Sequence, residues 1–112
     1  MEVTKKMTIE DKYLDVLHNV GWRIIDVMPD NSFDLQKHSP AGEDYHFTVY
    51  ADSIVDDVNN EAGCFDVDEH VMDWAGMRGQ NGVPDTIREL LEDAEAIKVM
   101  LNELADALKA IQ

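Results

Sequence analysis

The last quarter of the chain carries an apolar repeat that constrains the fold more than any other feature. Its spacing alternates between three and four positions through Ile87, Leu90, Ala94, Ile97, Leu101, Leu104, Leu108 and Ile111. This is the seam of a left-handed coiled coil, or the buried stripe of a helix packed on a domain. A helix over about 84–110 would be roughly 40 Å long, whereas a compact domain of this size has a radius of gyration of about 13 Å. The sequence therefore predicts a long C-terminal helix whose seam forms either the core or a homodimer contact.

In the rest of the 112-residue chain, the spacing of the apolar residues changes twice, from helical to alternating and back to helical. Residues 1–7 predict a flexible arm, and Thr8 with Asp11 has the spacing of a helix N-terminal cap before an apolar face. Alternating, β-branched or aromatic stretches then predict three antiparallel strands, and later apolar stretches predict two short helices. The strands are expected at 22–28, 32–38 and 45–50, and the helices at 52–63 and 65–75. Residues 8–112 therefore form a single predicted α+β domain: an N-terminal helix, a three-stranded antiparallel β-meander, two short helices and one long C-terminal helix.

Charge is distributed unevenly along the chain. There are 24 acids against 9 Lys and Arg, and the net charge of −15 makes direct binding to nucleic acid or to an anionic membrane unfavourable. Eight acids fall in one stretch without an intervening Lys or Arg, namely Asp52, Asp56, Asp57, Glu61, Asp66, Asp68, Glu69 and Asp73. Solubility alone would explain such a stretch. The alternative is a partner-binding surface for a basic protein, because helix-borne carboxylates can imitate the regular charge of a DNA backbone.

The stretch FDVDEHVMDW, residues 65–74, allows a different interpretation. Asp66, Glu69, His70 and Asp73 could form a divalent-metal site or a small hydrolytic site. An EF-hand is excluded, because the glycine and the glutamate that such a loop needs are missing from the required positions. Asp66 followed by Glu69 is also the pattern of a capped helix start. We expect the capped helix, with no metal, no cofactor and no catalytic residue.

Cysteine usage and hydropathy bear on location. Cys64 is the single cysteine, which excludes an internal disulfide. The N-terminal residues contain no apolar segment typical of a signal peptide, and no apolar run approaches the length of a membrane span. These features predict a cytoplasmic protein.

Residues 50–105 resemble a segment of known proteins. The stretches YADSIVDDV and FDVDEHVMDWAGMRGQNGVPDTIRELLEDAE, and above all GVPDTIRELLEDAE, are similar to small acidic proteins of anaerobic gut bacteria. Those proteins are associated with phage and conjugative elements, where antirestriction proteins also occur. The resemblance implies a mobile-element accessory protein and supplies no activity and no catalytic residue.

These observations predict a non-enzymatic acidic module that binds another protein. Its most concrete version is a DNA mimic in an antirestriction-like, counter-defence role, with a DNA-binding protein or a nuclease as partner. The alternatives are the metal-binding or hydrolytic site above, and a structural domain.

Overall fold

A computed structural model of the chain describes residues 9–80 and 83–112. In chain order its elements are α1 (Asp11–Asn19), β1 (Arg23–Ile25), β2 (Ser32–His38), β3 (Asp44–Tyr50), α2 (Ile54–Cys64), α3 (Val67–Trp74) and α4 (Ile87–Ala110), with short 3-10 turns at Ala51–Ser53 and Ala75–Met77. The predicted α+β order of a helix, an antiparallel meander and three further helices is confirmed. The arm predicted for residues 1–7 and the cap predicted at Thr8 lie outside the described residues.

The boundaries of the N-terminal elements differ from the predicted ones for local reasons. Helix α1 begins at Asp11, and the preceding Glu10 occupies the capping position without a side-chain hydrogen bond to the helix. Gly21 follows the helix with φ of 82°, the left-handed conformation that glycine adopts without strain. Strand β1 is only three residues long, because Asp26 takes a left-handed φ of 51° and ends the extended backbone.

The sheet has the strand order β1-β2-β3, and both pairings are antiparallel. Its helix-facing side is apolar, with Phe33, Leu35 and Val49 fully buried. On the opposite side, His46 and Thr48 of β3 are exposed to solvent. The alternation predicted for β3 is therefore the one observed.

Helix α4 supplies more of the described core than any other element. Its 24 residues correspond to a length of about 36 Å. Six seam residues are each 0% exposed: Leu90, Ala94, Ile97, Leu101, Leu104 and Leu108. Of the other two, Ile87 is 44% exposed and Ile111 is partly buried. The seam thus has the burial of a core stripe, and a homodimer through α4 would have to use its outer face, where Val99 is 57% exposed.

Helix α4 begins at Ile87, three residues after the predicted start at Pro84, because Thr86 caps it. The Thr86 hydroxyl accepts from the Glu89 N–H at 3.1 Å and donates to the Glu89 carboxylate at 2.9 Å. The hydroxyl thus acts as an N-cap, which satisfies one free N–H of the first turn.

Two polar anchors, the buried Asp93 and the half-buried Lys98, hold other elements against α4. The Asp93 carboxylate accepts from the Ser39 hydroxyl at 2.6 Å and from the Ala41 N–H at 2.9 Å, so it fixes the turn between β2 and β3. The Lys98 ammonium donates to the carbonyls of Ala62 and Phe65, each at 3.0 Å. These bonds set the position of the link between α2 and α3.

Candidate functional site

The acidic segment 52–73 folds into α2, α3 and the link between them, and its acids have different local roles. Asp57 accepts from the Tyr50 N–H at 2.8 Å and from the Ser53 hydroxyl at 2.9 Å. Asp66 caps α3 by accepting from the Glu69 N–H at 3.1 Å, as the sequence predicted. The other acids of the segment are Asp52, Asp56, Asp68, Glu69 and Asp73, all exposed, and the half-buried Glu61.

Four of these acids surround one concave surface. Glu61, at the end of α2, lies with Asp66, Glu69 and Asp73 around a cavity of about 230 Å³. We call these four residues the acidic cleft. Capping and helical spacing aim the α3 carboxylates into the same space as the last turn of α2, so the cleft concentrates negative charge on a small area.

The floor of the acidic cleft is aromatic. The Tyr45 hydroxyl donates to the Glu61 carboxylate. Burial, together with the Glu61 carboxylate, raises the pKa of Tyr45 well above its ordinary value, so the phenol stays neutral and acts as a donor. The Phe65 ring packs edge-on against the Tyr45 ring at a centroid distance of 5.7 Å. An apolar, low-dielectric floor strengthens the electrostatic attraction that the rim carboxylates exert on a bound cation.

His70 belongs to the floor and not to the rim. Its Nε2 atom lies 3.2 Å from the Glu43 carboxylate, and the two side chains are 10% and 8% exposed. The imidazole also packs against the rings of Phe65 and Trp74, with centroid distances of 5.2 and 6.1 Å. The pair joins α3 to the turn before β3, which fixes the position of the α3 acids.

The proposed metal cluster is therefore not assembled by the fold. His70 turns towards Glu43, while Asp66 uses its side chain to cap α3. In the described ranges 9–80 and 83–112, no group of three or more His, Cys, Asp or Glu side chains is arranged to hold a metal ion. Cys64 is exposed, and its thiol donates to the Asn60 side-chain oxygen at 3.8 Å.

The remaining acids of the segment do not all extend the acidic cleft. Asp52 and Asp56, at the start of α2, line a different cavity of about 390 Å³ together with Glu10 of the α1 cap. Asp68 lines a shallow site with Lys98 on the far side of the α2–α3 link. Seven of the eight acids are thus divided among three local surfaces, of which the acidic cleft gathers four, while Asp57 binds the Tyr50 N–H and the Ser53 hydroxyl.

Several Lys and Arg side chains of the described chain donate to groups other than carboxylates. No Lys or Arg nitrogen in residues 9–80 and 83–112 lies within 4.0 Å of a carboxylate oxygen. Lys37 donates to the Val20 carbonyl at 2.8 Å, Arg78 donates to the Ala75 carbonyl at 2.8 Å, and Arg23 donates to the Gln36 amide oxygen at 3.1 Å. Most proteins intersperse the two signs on their surfaces. Here the carboxylates of the acidic cleft have no paired cation within the described structure.

Sequence reasoning missed two buried acids. Counted as whole residues, Glu43 and Asp93 are 6% and 5% exposed. For Asp93 a signal existed, because it falls between Leu90 and Ala94 on the apolar side of α4. For Glu43 there was none, because its partner His70 is 27 residues away in the chain.

No known protein family, curated protein or solved structure matches the chain. The resemblance of residues 50–105 to mobile-element proteins therefore stays a prediction. Within the described residues, no helix is both long and apolar enough to cross a membrane.

Proposed function

We propose that this chain is a non-enzymatic protein-binding module whose acidic cleft docks a basic surface of another protein. One observation carries the proposal. Four carboxylates converge on one cavity, and no Lys or Arg of the described chain lies within 4.0 Å of any of them.

The physical case rests on the cost of this arrangement in the free protein. Like charges on adjacent helical turns each cost a few tenths of a kcal/mol, and a partner that brings cations relieves that repulsion. A cation at the exposed rim gains little, about 0.2–1 kcal/mol, whereas one that reaches the aromatic floor is better shielded from water and gains more. Binding should therefore depend on a few cations inserted into the cleft, with long-range attraction accelerating the encounter.

The most specific form of this proposal is a DNA mimic that occupies the cleft of a DNA-binding protein or a nuclease. It is supported by the net charge of −15 and by carboxylates presented on helices. We place this activity in the cytoplasm, because the exposed thiol of Cys64 suits a reducing compartment. An antirestriction-like role would follow from the resemblance noted above.

The test compares two variants with the same net charge. The double variant Glu69→Gln/Asp73→Asn removes two acids of the cleft, whereas Glu103→Gln/Asp106→Asn removes two acids beside a different cavity. Each protein is used to capture partners from an extract of the source cells, and the affinity of each purified partner is then measured by calorimetry. We expect the cleft variant to bind at least about tenfold more weakly than wild type, a loss of about 1.4 kcal/mol, while the control variant stays close to wild type.

Two outcomes would oppose the proposal. Equal weakening by both variants would show that only overall charge matters. Unchanged binding by the cleft variant would exclude the cleft as the contact surface. For the DNA-mimic form, duplex DNA must displace the chain from its partner. A ternary complex of partner, DNA and chain would exclude mimicry.

A further inference from the structure

Strand β3 forms one edge of the sheet, because the strand order places β2 on one side of it and, among residues 9–80 and 83–112, no strand on the other. The hydrogen bonds at its two ends show which backbone groups face that edge. The Ala51 N–H donates to the Asn31 carbonyl at 3.0 Å, and the Ser39 N–H donates to the Glu43 carbonyl at 2.9 Å. In an antiparallel pair these contacts recur at every second residue, so the odd-numbered residues of β3 bond to β2.

The even-numbered residues of β3 therefore direct their backbone groups away from the sheet. The Tyr50 N–H confirms this direction, because it leaves the sheet to donate to Asp57 at 2.8 Å. His46 and Thr48 are even-numbered like Tyr50, so their backbone groups face the same edge, and both residues are exposed. Their N–H and C=O groups offer a row of donors and acceptors to any strand placed alongside.

In the described residues, the hydrogen bond from the Tyr50 N–H to Asp57 protects one end of this edge, and the stretch at His46 and Thr48 lacks the usual protection. Edge strands are normally kept short, interrupted by a bulge or proline, or covered. The other edge of the sheet follows that pattern, since β1 has three residues and ends at the left-handed Asp26. Strand β3 has seven residues, contains no proline, and pairs with β2 in unbroken register from Asp44 to Tyr50.

The charge around this edge indicates which strand would fit it. Helix α2 runs beside β3, since Asp57 binds Tyr50 and, one turn later, Glu61 binds the side chain of Tyr45. Glu61 is part of the acidic cleft, and Tyr45 lies on its floor. The open edge and the acidic cleft are thus adjacent. A second copy of the chain would bring another net charge of −15 to this edge, whereas a basic segment would be attracted.

We propose that the partner adds an extended basic segment to the open edge of β3 as a fourth strand. This rests on the proposed function and names its binding mode. Backbone hydrogen bonds to His46 and Thr48 supply the register, as in other strand-addition complexes. Because side chains alternate along a strand, Lys or Arg at every second position would enter the acidic cleft, and the residues between them would face solvent.

A peptide experiment on the wild-type chain tests this binding mode. The probe is a labelled octapeptide of alternating Lys and Val, and its control is the same peptide with N-methylated amides, which keeps the charge and removes the backbone donors. We expect the control to bind at least about tenfold more weakly, since each lost backbone hydrogen bond weakens binding. Amide hydrogen exchange followed by NMR should slow at His46 and Thr48 only with the unmethylated peptide.

Protein variants separate this inference from the proposed function. Thr48→Pro removes one outward N–H and leaves the backbone bonds between β3 and β2 in place. It also removes the hydroxyl that donates to Asp34 of β2, and Thr48→Ala is its matched control because it removes the same hydroxyl and keeps the N–H. We expect Thr48→Pro to lose the peptide and Thr48→Ala to keep it, with folding of both checked by circular dichroism. Should Thr48→Pro not fold, the methylated peptide and the exchange data on wild type decide.

Each other outcome is also informative. If Glu69→Gln/Asp73→Asn weakens binding while methylation and Thr48→Pro do not, the acidic cleft binds basic partners and strand addition is refuted. If the cleft double variant, the methylation and Thr48→Pro all leave binding unchanged, or if neither peptide binds, both proposals fall. Slow exchange at His46 and Thr48 without peptide, in a dimer seen by light scattering, would assign the edge to a second copy and overturn the inference.

Discussion

Replacing Asp93 by alanine should destabilise the fold by a magnitude that follows from its contacts. The carboxylate is 5% exposed and accepts from the Ser39 hydroxyl and the Ala41 N–H. Alanine would leave both donors without a partner, and each unsatisfied buried donor costs about 1–3 kcal/mol. The Ala41 N–H lies beside a cavity of about 640 Å³ that admits water, so its cost belongs at the low end. The free energy of unfolding should therefore fall by about 2–3 kcal/mol in total.

Urea denaturation followed by circular dichroism measures this loss. The exposed neighbour Glu92 provides the control, since Glu92→Ala should change the free energy of unfolding by less than about 0.5 kcal/mol. Ser39→Ala should cost about 1 kcal/mol, and the double-mutant cycle with Asp93→Ala should show a coupling of about 1 kcal/mol. A loss below about 1 kcal/mol for Asp93→Ala, or additive effects of the two substitutions, would refute the anchoring role assigned to this carboxylate.

Four further outcomes are expected. Leu101→Ala, at a fully buried position, should cost about 2–5 kcal/mol in urea unfolding, whereas Val99→Ala on the outer face of α4 should cost less than about 0.5 kcal/mol. Adding NaCl should raise Tm, because screening weakens repulsion among carboxylates that have no paired Lys or Arg in the described ranges; a fall in Tm would contradict this. Hydrogen bonds from Ser32 lower the pKa of Asp30 below its ordinary 3.8, so its contribution to stability is present above that pH and is lost as the pH falls through the folded-state pKa; NMR titration should show the pKa rising in Ser32→Ala. At matched ionic strength, calcium, magnesium, manganese and zinc should change Tm no more than NaCl does, and an additional shift that disappears in His70→Ala would revive the metal interpretation.

The elements of the fold could be predicted because their periodicity is local. The spacing from Leu90 to Leu108 and the alternation from Phe33 to Leu35 arise from the geometry of a helix and of a strand. The same spacing could not decide whether the seam of α4 faces the chain or another copy, because burial depends on which elements pack against it. The predicted ends of helices and strands were less accurate where the backbone conformation of one residue ends the element, as the left-handed Asp26 ends β1.

The candidate site was only partly predictable. The capping role of Asp66 follows from its spacing to Glu69, and the structure confirms it. The division of the acids into separate surfaces depends on how α2 turns into α3, which no local pattern specifies. The His70–Glu43 pair and the bond from Tyr45 to Glu61 join distant segments, so no local pattern could show that His70 pairs with Glu43.

The ratio of two dissociation constants tests the central claim most directly. A purified partner is titrated at low and at physiological salt with Glu69→Gln/Asp73→Asn and with Glu103→Gln/Asp106→Asn, which carry the same net charge. If the acidic cleft is the docking surface, the first variant binds at least about tenfold more weakly than the second at both salt concentrations. Equal dissociation constants for the two variants would show that the partner responds to overall charge, and the cleft would have no special role.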